Sequence, residues 1–178
     1  TGLNMTSQEN RYIRIAGIIE ESIVDGPGFR FVVFTQGCKR HCKGCHNEET
    51  WDLDGGKIVE IDKILKMLDE NPLLDGITLS GGEPFLQPDA CCEIAKGARE
   101  RGLEVMTYTG FTYEEISEGV DESEEVNEAR RKLLQLTDIL VDGPFVIEKK
   151  SLNLMFRGSS NQRLLYLKDG RIIKESKD

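Results

Sequence analysis

Phe31-Val32-Val33-Phe34-Thr35-Gln36-Gly37-Cys38-Lys39-Arg40-His41-Cys42-Lys43-Gly44-Cys45-His46-Asn47 is the stretch on which the fold turns. Its first four residues are a continuous apolar run, which suits a strand buried on both faces of a parallel sheet. Ile77-Thr78-Leu79, Val105-Met106-Thr107-Tyr108 and Ile139-Leu140-Val141 are similar pieces further along. Helical patterns lie between them. Ile61, Ile64, Leu65 and Leu68 share one helix face, as do Cys91, Ile94, Ala95 and Ala98, and then Val126, Ala129, Leu133 and Leu136. Gly102 stands where the second of these helices should end. Strands alternating with helices predict an α/β fold of βαβ units around a parallel sheet, with right-handed crossovers. Ile13 to Ile19 reads as an N-terminal strand. Leu164–Leu167 and Arg171–Lys174 flank Asp169-Gly170, which predicts a C-terminal β-hairpin.

The chain has 178 residues, enough for one compact domain, 1–178, that buries a core without disulfides. Thr1 to Asn4 precede Met5 and are set apart as a remnant. A formal net charge of -9 argues against sequence-independent nucleic-acid binding, which needs Lys and Arg to neutralise phosphates. No apolar run approaches the roughly 20 residues of a membrane span, and no charged-then-apolar leader points to secretion. Five cysteines, three in one cluster and two adjacent, do not form a secreted disulfide pattern. The reading is a cytoplasmic protein with no membrane or nucleic-acid partner.

The three clustered thiols follow directly on the Phe31–Phe34 run, at the C-terminal end of a parallel strand, where α/β folds place their ligands. Their spacing is C-x3-C-x2-C. Three thiolates on one tight loop can hold three corners of an iron–sulfur cube, leaving the fourth iron open to a substrate. The spacing alone also admits a structural zinc site of Cys3His type, with His41 or His46 as the fourth ligand. A second glycine-rich turn, Gly81-Gly82-Glu83-Pro84, follows Ile77-Thr78-Leu79-Ser80. Two glycines let the backbone approach a ligand closely, and Glu83 is an acceptor suited to an ammonium group. An ordinary turn before a helix would read the same way.

Taken together, the cysteine loop after the first core strand and Gly-Gly-Glu-Pro after the second resemble the radical S-adenosylmethionine superfamily. Gly26-Pro27-Gly28-Phe29-Arg30 ahead of the cysteines, with Asn47 and Trp51 behind them, looks like the signature of its glycyl-radical-enzyme activating family. Tyr108-Thr109-Gly110, Val141-Asp142-Gly143-Pro144-Phe145 and Arg157-Gly158-Ser159-Ser160-Asn161-Gln162-Arg163 are similar to the branch that activates anaerobic ribonucleoside-triphosphate reductase. The resemblance implies a partial, splayed β/α barrel whose open side meets a protein partner. It implies that Cys38, Cys42 and Cys45 ligate a [4Fe-4S] cluster and that S-adenosylmethionine binds its open iron. Gly81, Gly82 and Glu83 would receive the ligand's amino group. Gly44 and His46 would line the adenine side. Asp142 and Gly143 would meet the methionine or the ribose. The reaction implied is reductive cleavage of S-adenosylmethionine and formation of a glycyl radical on the reductase; pyruvate formate-lyase or a related enzyme is the alternative target. A zinc-stabilised interaction module without chemistry is the alternative of another class. Gly44 departs from the superfamily, many of whose members carry an aromatic residue there, so less bulk shields the cluster.

Other residues read less sharply. Lys39, Arg40, His41 and Lys43 make a basic patch that suits an acidic electron donor such as flavodoxin, or a solvated loop. Cys91 lies on the apolar helix stripe and reads as a small hydrophobe, with Cys92 at its flank; adjacent cysteines point in different directions on a helix, which argues against a second metal site. Glu114 to Glu128, with eight acidic residues in fifteen, reads as a solvated loop and helix face. Trp51 is either a core residue or a lid over the cluster.

Overall fold

The computed structural model describes residues 11–45 and 48–176. Among them, eight strands form one sheet in the order β3-β1-β2-β4-β5-β6-β7-β8. The centre is parallel: β2 (Arg30–Thr35), β4 (Gly76–Gly81), β5 (Glu104–Tyr108) and β6 (Ile139–Asp142) run the same way. On one side β1 (Tyr12–Ser22) and the edge strand β3 (Lys57–Glu60) are antiparallel additions. On the other, β7 (Arg163–Lys168) pairs antiparallel with β6, and β8 (Arg171–Ser176) pairs antiparallel with β7.

Four α-helices accompany the sheet: α1 (Ile61–Asp69), α2 (Pro88–Glu100), α3 (Tyr113–Glu118) and α4 (Glu124–Leu136). Their buried residues join one core with Phe31, Val33, Ile77, Leu79, Val105, Leu140 and Leu165. Strand alternation sends the intervening residues to the other face. There Met106, Ile139, Val141 and Leu164 form a second, smaller cluster, covered by Phe156 from the long β6–β7 connection. Each fully buried Ile or Phe contributes about 1.5–3 kcal/mol by leaving water.

The helix ends follow local chemistry. Pro88 opens α2, and the Leu103 N–H donates to the Ala98 carbonyl at 3.0 Å across Gly102, whose φ is +74°. Thr112 and Glu115 form a capping box at α3. Cys91 and Cys92 lie in the core, where burial pushes the Cys92 thiol up to about 12 and Cys91 higher still. The acidic segment divides into α3 and α4.

One stripe differs from expectation. The buried residues of α4 are Asn127, Arg130, Leu133 and Leu134, while Val126, Ala129 and Leu136 are only half-buried. Two polar side chains turn the helix. Asn127 closes the preceding loop by accepting from the Asp121 N–H and donating to the Asp121 carbonyl. Arg130 donates from Nε to the Phe85 carbonyl at 2.9 Å. Pro84 starts a single 3-10 turn, Pro84–Leu86, and α2 begins separately at Pro88.

Candidate functional site

The cysteine loop leaves β2 and is held at its root by the returning chain. The Gly37 N–H donates to the Thr50 carbonyl and the Cys38 N–H to that of Trp51. A tight turn closes it, with the Cys45 N–H donating to the Cys42 carbonyl at 3.0 Å. His41 takes a left-handed φ of +49° and stacks flat on Trp51, the ring centroids 4.5 Å apart. Cys38, Cys42 and Cys45 are each half-buried and line one cavity of about 340 Å³. Burial pushes the Cys38 thiol up, against backbone N–H groups of Arg40 and His41 that pull it down. Among the described residues, no three His, Cys, Asp or Glu side chains converge on a point where one metal ion would sit. The thiols border a space larger than a single ion.

The glycine turn meets this loop from β4. The Gly82 N–H donates to the Thr35 carbonyl and the Glu83 N–H to the Gly37 carbonyl, both at 2.8 Å. A Cβ on Gly82 would stand 2.3 Å from the Gly37 oxygen, so only glycine allows the two loops to pack here. Glu83 is buried at 3% exposure. Its carboxylate accepts from the Thr109 hydroxyl at 2.8 Å, the Gly110 N–H at 2.7 Å and the Phe85 N–H at 3.2 Å. Burial still outweighs these donors and holds its pKa above the usual carboxylate range.

Arg30 lies beneath the site with no exposure. It donates to Thr78 Oγ1, to the carbonyls of Pro27, Ile77 and Glu104, and to the Glu104 carboxylate at 2.9 Å. A Cβ on Gly26 would lie 2.5 Å from Arg30 Cδ, which accounts for the small residue ahead of Pro27. Asp25, in the same turn, reaches the cavity wall. Arg40 does so from the cysteine loop; its guanidinium stands 4.6 Å from the centroid of Phe111, and that of Arg130 stands 4.8 Å from the same ring.

Of the residues singled out from sequence, Cys38, Cys42, Cys45, Gly81, Gly82, Glu83 and Gly143 all border the cavity. Gly44 sits beside it, against Phe145 and Ile147. Asp142 is brought to the same strand end, but its buried carboxylate accepts from the Tyr113 N–H at 2.7 Å and from Arg163. His46 lies outside the described residues. Asp25, Arg40, Thr109, Gly110 and Phe145 border the cavity without having been assigned a part in it, and Gly158 and Gln162 join them from the Arg157–Arg163 run. The sequence signal was present for several of these: Thr109, Gly110, Phe145, Gly158 and Gln162 stand inside the quoted stretches.

The donor set suits an iron–sulfur cluster. Thiolates are the ligands such clusters take. Two cavity-lining residues, Arg40 and Trp51, also hold buried N–H donors without partners among the described residues, Nε and Nε1, which suit a negatively charged or sulfur acceptor.

Comparison with known proteins agrees with this chemistry. Residues 24–165 match the family described as a 4Fe-4S single cluster domain. The anaerobic ribonucleoside-triphosphate reductase-activating protein of Escherichia coli (strain K12) is 35% identical over 156 residues, covering 82% of this chain and 94% of the relative. That of Salmonella typhi is 36% identical over 155 residues with the same coverage. The pyruvate formate-lyase-activating enzyme of Clostridium pasteurianum is 42% identical over 117 residues, but this covers 61% of the chain and 49% of the enzyme. With its cysteine loop, its glycine turn and this degree of identity over most of its length, the chain belongs to the family of anaerobic ribonucleoside-triphosphate reductase-activating proteins, within the 4Fe-4S single cluster domain family.

Proposed function

We propose that the chain is a radical S-adenosylmethionine activase that places a glycyl radical on an anaerobic ribonucleoside-triphosphate reductase. The observation that carries this reading is the shared cavity, into which the three thiols at the end of β2 and the Gly81-Gly82-Glu83 turn at the end of β4 both open. In this reading Cys38, Cys42 and Cys45 hold three irons of a [4Fe-4S] cluster. When bound and reduced, the cluster supplies the electron that splits S-adenosylmethionine into methionine and a 5′-deoxyadenosyl radical, which takes a hydrogen atom from the Cα of a glycine in the partner.

The chain's own residues bind, orient and exclude water. Glu83 receives the ammonium of the methionine part, and a cation there satisfies a carboxylate that burial otherwise disfavours. Gly81 and Gly82 keep the backbone close to that group. Gly44 stands on the base side, and the family resemblance gives His46 the same role. Gly143 meets the ligand at the end of β6, where Asp142 fixes the backbone through Tyr113 and Arg163. Asp25 and Arg40 bring one charge of each sign to the wall. The sheet curves as a splayed partial barrel in one domain, and its open side takes a segment of the partner. Lys39 and Lys43, exposed beside the cysteines, dock an acidic electron donor such as flavodoxin in the reducing cytoplasm.

Two alternatives have less support. A Cys3His zinc site through His41 would need four side chains gathered on one ion, and among the described residues no three His, Cys, Asp or Glu side chains are so placed. An activase of pyruvate formate-lyase has a relative at higher identity, but over about half of that relative's length. The test is an electron paramagnetic resonance spectrum of anaerobically reconstituted, reduced protein with and without S-adenosylmethionine, followed by activation assays on both partner enzymes. A [4Fe-4S] signal altered by the ligand, with a glycyl radical formed on the reductase, is expected. Absence of an iron signal, or radical transfer to pyruvate formate-lyase alone, overturns the reading.

A further inference from the structure

A second cavity, of about 250 Å³, lies behind the first, between the cysteine loop and the turn that leads into α4. Glu83 and Arg40 border both cavities and form the partition between them. Among the described residues, none of the three thiols and neither glycine of the Gly81-Gly82 turn borders the second. Its floor is apolar, made by Leu86 and Phe111, with the exposed Val120 at the rim.

The wall carries three cations, Lys39 and Arg40 from the cysteine loop and Arg130 from α4. An amphipathic helix presents apolar side chains to the core, yet a guanidinium is buried here at 6% exposure. Its ion pair with Asp121 is loose, at 3.7 Å, and Arg40 reaches Glu115 only at 3.8 Å. Both guanidiniums stand against the Phe111 ring, so like charges converge on one space. The two carboxylates on the wall have other donors. Glu83 accepts from Thr109, Gly110 and Phe85, and Asp121 accepts from the Ser123 N–H. Three cations against two carboxylates leave one positive charge in excess beside an apolar floor. A carboxylate matches that charge, and its two oxygens match the fork of a guanidinium.

Gly110 brings Arg40 close to Glu83. A Cβ there would stand 2.6 Å from Arg40 Nε and 3.4 Å from Glu83 Oε1. Burial raises the Glu83 pKa, and the charge of Arg40 is among the groups that pull it down. In the activase reading Glu83 also receives the ammonium of S-adenosylmethionine, so two cations share one carboxylate. An anion held by Arg40 in the second cavity offsets its charge and leaves more of the Glu83 field to the ammonium.

We propose that the second cavity binds a small carboxylate on a short apolar stem, and that its occupation strengthens S-adenosylmethionine binding. Arg40, Arg130 and Lys39 take the carboxylate, and Leu86, Phe111 and Val120 take the stem. The site stands on its own geometry; the coupling rests on the function proposed above. Such coupling is reciprocal, so S-adenosylmethionine strengthens binding of the carboxylate by the same factor.

Butyrate is the probe, titrated calorimetrically into anaerobic, cluster-containing protein, with butyramide and inorganic phosphate as controls at equal ionic strength. Butyrate should bind saturably, and both controls about tenfold more weakly or worse, the scale of one charge-assisted hydrogen bond. Val120→Trp fills the cavity from its exposed rim and Arg130→Gln removes the buried charge; each should weaken butyrate by about tenfold. Where Arg130→Gln does not fold, Val120→Trp carries the comparison. Saturating butyrate should tighten S-adenosylmethionine binding by about fivefold in the wild type and leave it unchanged in Val120→Trp. Absence of saturable butyrate binding overturns the site, as does equal binding in Val120→Trp, or phosphate bound as tightly as butyrate. Butyrate bound without any change in S-adenosylmethionine affinity overturns the coupling. A cluster-containing wild type that binds butyrate but no S-adenosylmethionine sinks the activase reading, and the coupling with it, while the site stands.

Discussion

Burial of Glu83 at 3% exposure fixes the sign of its contribution to stability. Its pKa in the folded chain is raised, chiefly by burial, above that of the unfolded chain. The stabilisation it allows is fully present below the ordinary carboxylate range and is lost as pH rises through the raised value. Glu83→Gln removes the charge but turns an NH2 towards donors that the carboxylate now satisfies. In cluster-free protein the variant should match or slightly trail the wild type near pH 4 and gain on it as pH rises towards 7. Thermal melts across that range check this, and a difference independent of pH refutes it. S-adenosylmethionine affinity should fall in the same variant, because the carboxylate is proposed to meet its ammonium. Arg30 is a second residue whose environment sets its effect. Its guanidinium donates in several directions from a fully buried position. Lysine keeps the charge but lacks the planar fork. Arg30→Lys should cost about 1–3 kcal/mol in chemical denaturation, the scale of buried polar groups such as Thr78 Oγ1 and the Ile77 carbonyl left without partners.

At the scale of elements, the cysteine loop is tied to the helical layer by a stack rather than by backbone pairing. The guanidinium of Arg40, from the loop, and that of Arg130, from α4, both lie within 5 Å of Phe111, which follows β5. Cation–π contacts contribute about 0.5–2 kcal/mol each, more where water is excluded, and Arg130 is almost fully buried. Phe111→Leu keeps the apolar bulk and removes the ring. It should lower stability by about 1–2 kcal/mol and speed cluster bleaching in air, followed by loss of the iron–sulfur absorbance. Bleaching at the wild-type rate would show that the stack does not steady the loop. No local pattern reveals this arrangement, since residues 40, 111 and 130 meet only in the fold. The parallel strands were legible because each is a short apolar run. The edge strand β3 was not, because only Val59 in Lys57–Glu60 is even half-buried. The orientation of Asp142 was legible in principle: strand alternation puts it with Leu140, on the helix side, and puts Val141 on the face opposite. The motif resemblance drew attention to the residue and not to its parity.

Over the whole molecule, charge is distributed against its average. The chain carries a net -9, yet Lys39, Arg40 and Lys43 surround the thiols. The acidic residues of Glu114 to Glu128 belong to α3, α4 and the turn between them, where Glu114 pairs with Arg163 and Glu124 with Arg131. Composition alone argues against an acidic donor; the position of the three cations beside the cavity is what the proposed docking rests on. Lys39 and Lys43 are exposed, whereas Arg40 is engaged with Phe111. The two lysines are therefore the ones to change without disturbing the loop. Opposite charges at an interface act mainly on the rate of encounter and are screened over about 8–10 Å at physiological salt. Reduction of the cluster by reduced flavodoxin should slow by about tenfold in Lys39→Glu/Lys43→Glu at low salt, and the gap to wild type should close as salt is raised. Reduction by dithionite, together with the electron paramagnetic resonance signal it produces, should be unaltered, since a small reductant needs no docking face. Stopped-flow measurements at several ionic strengths give both quantities. Equal rates with flavodoxin at low salt would move the docking face away from the cysteine loop. A loss of rate with dithionite as well would show that the lysines act on the cluster rather than on the encounter.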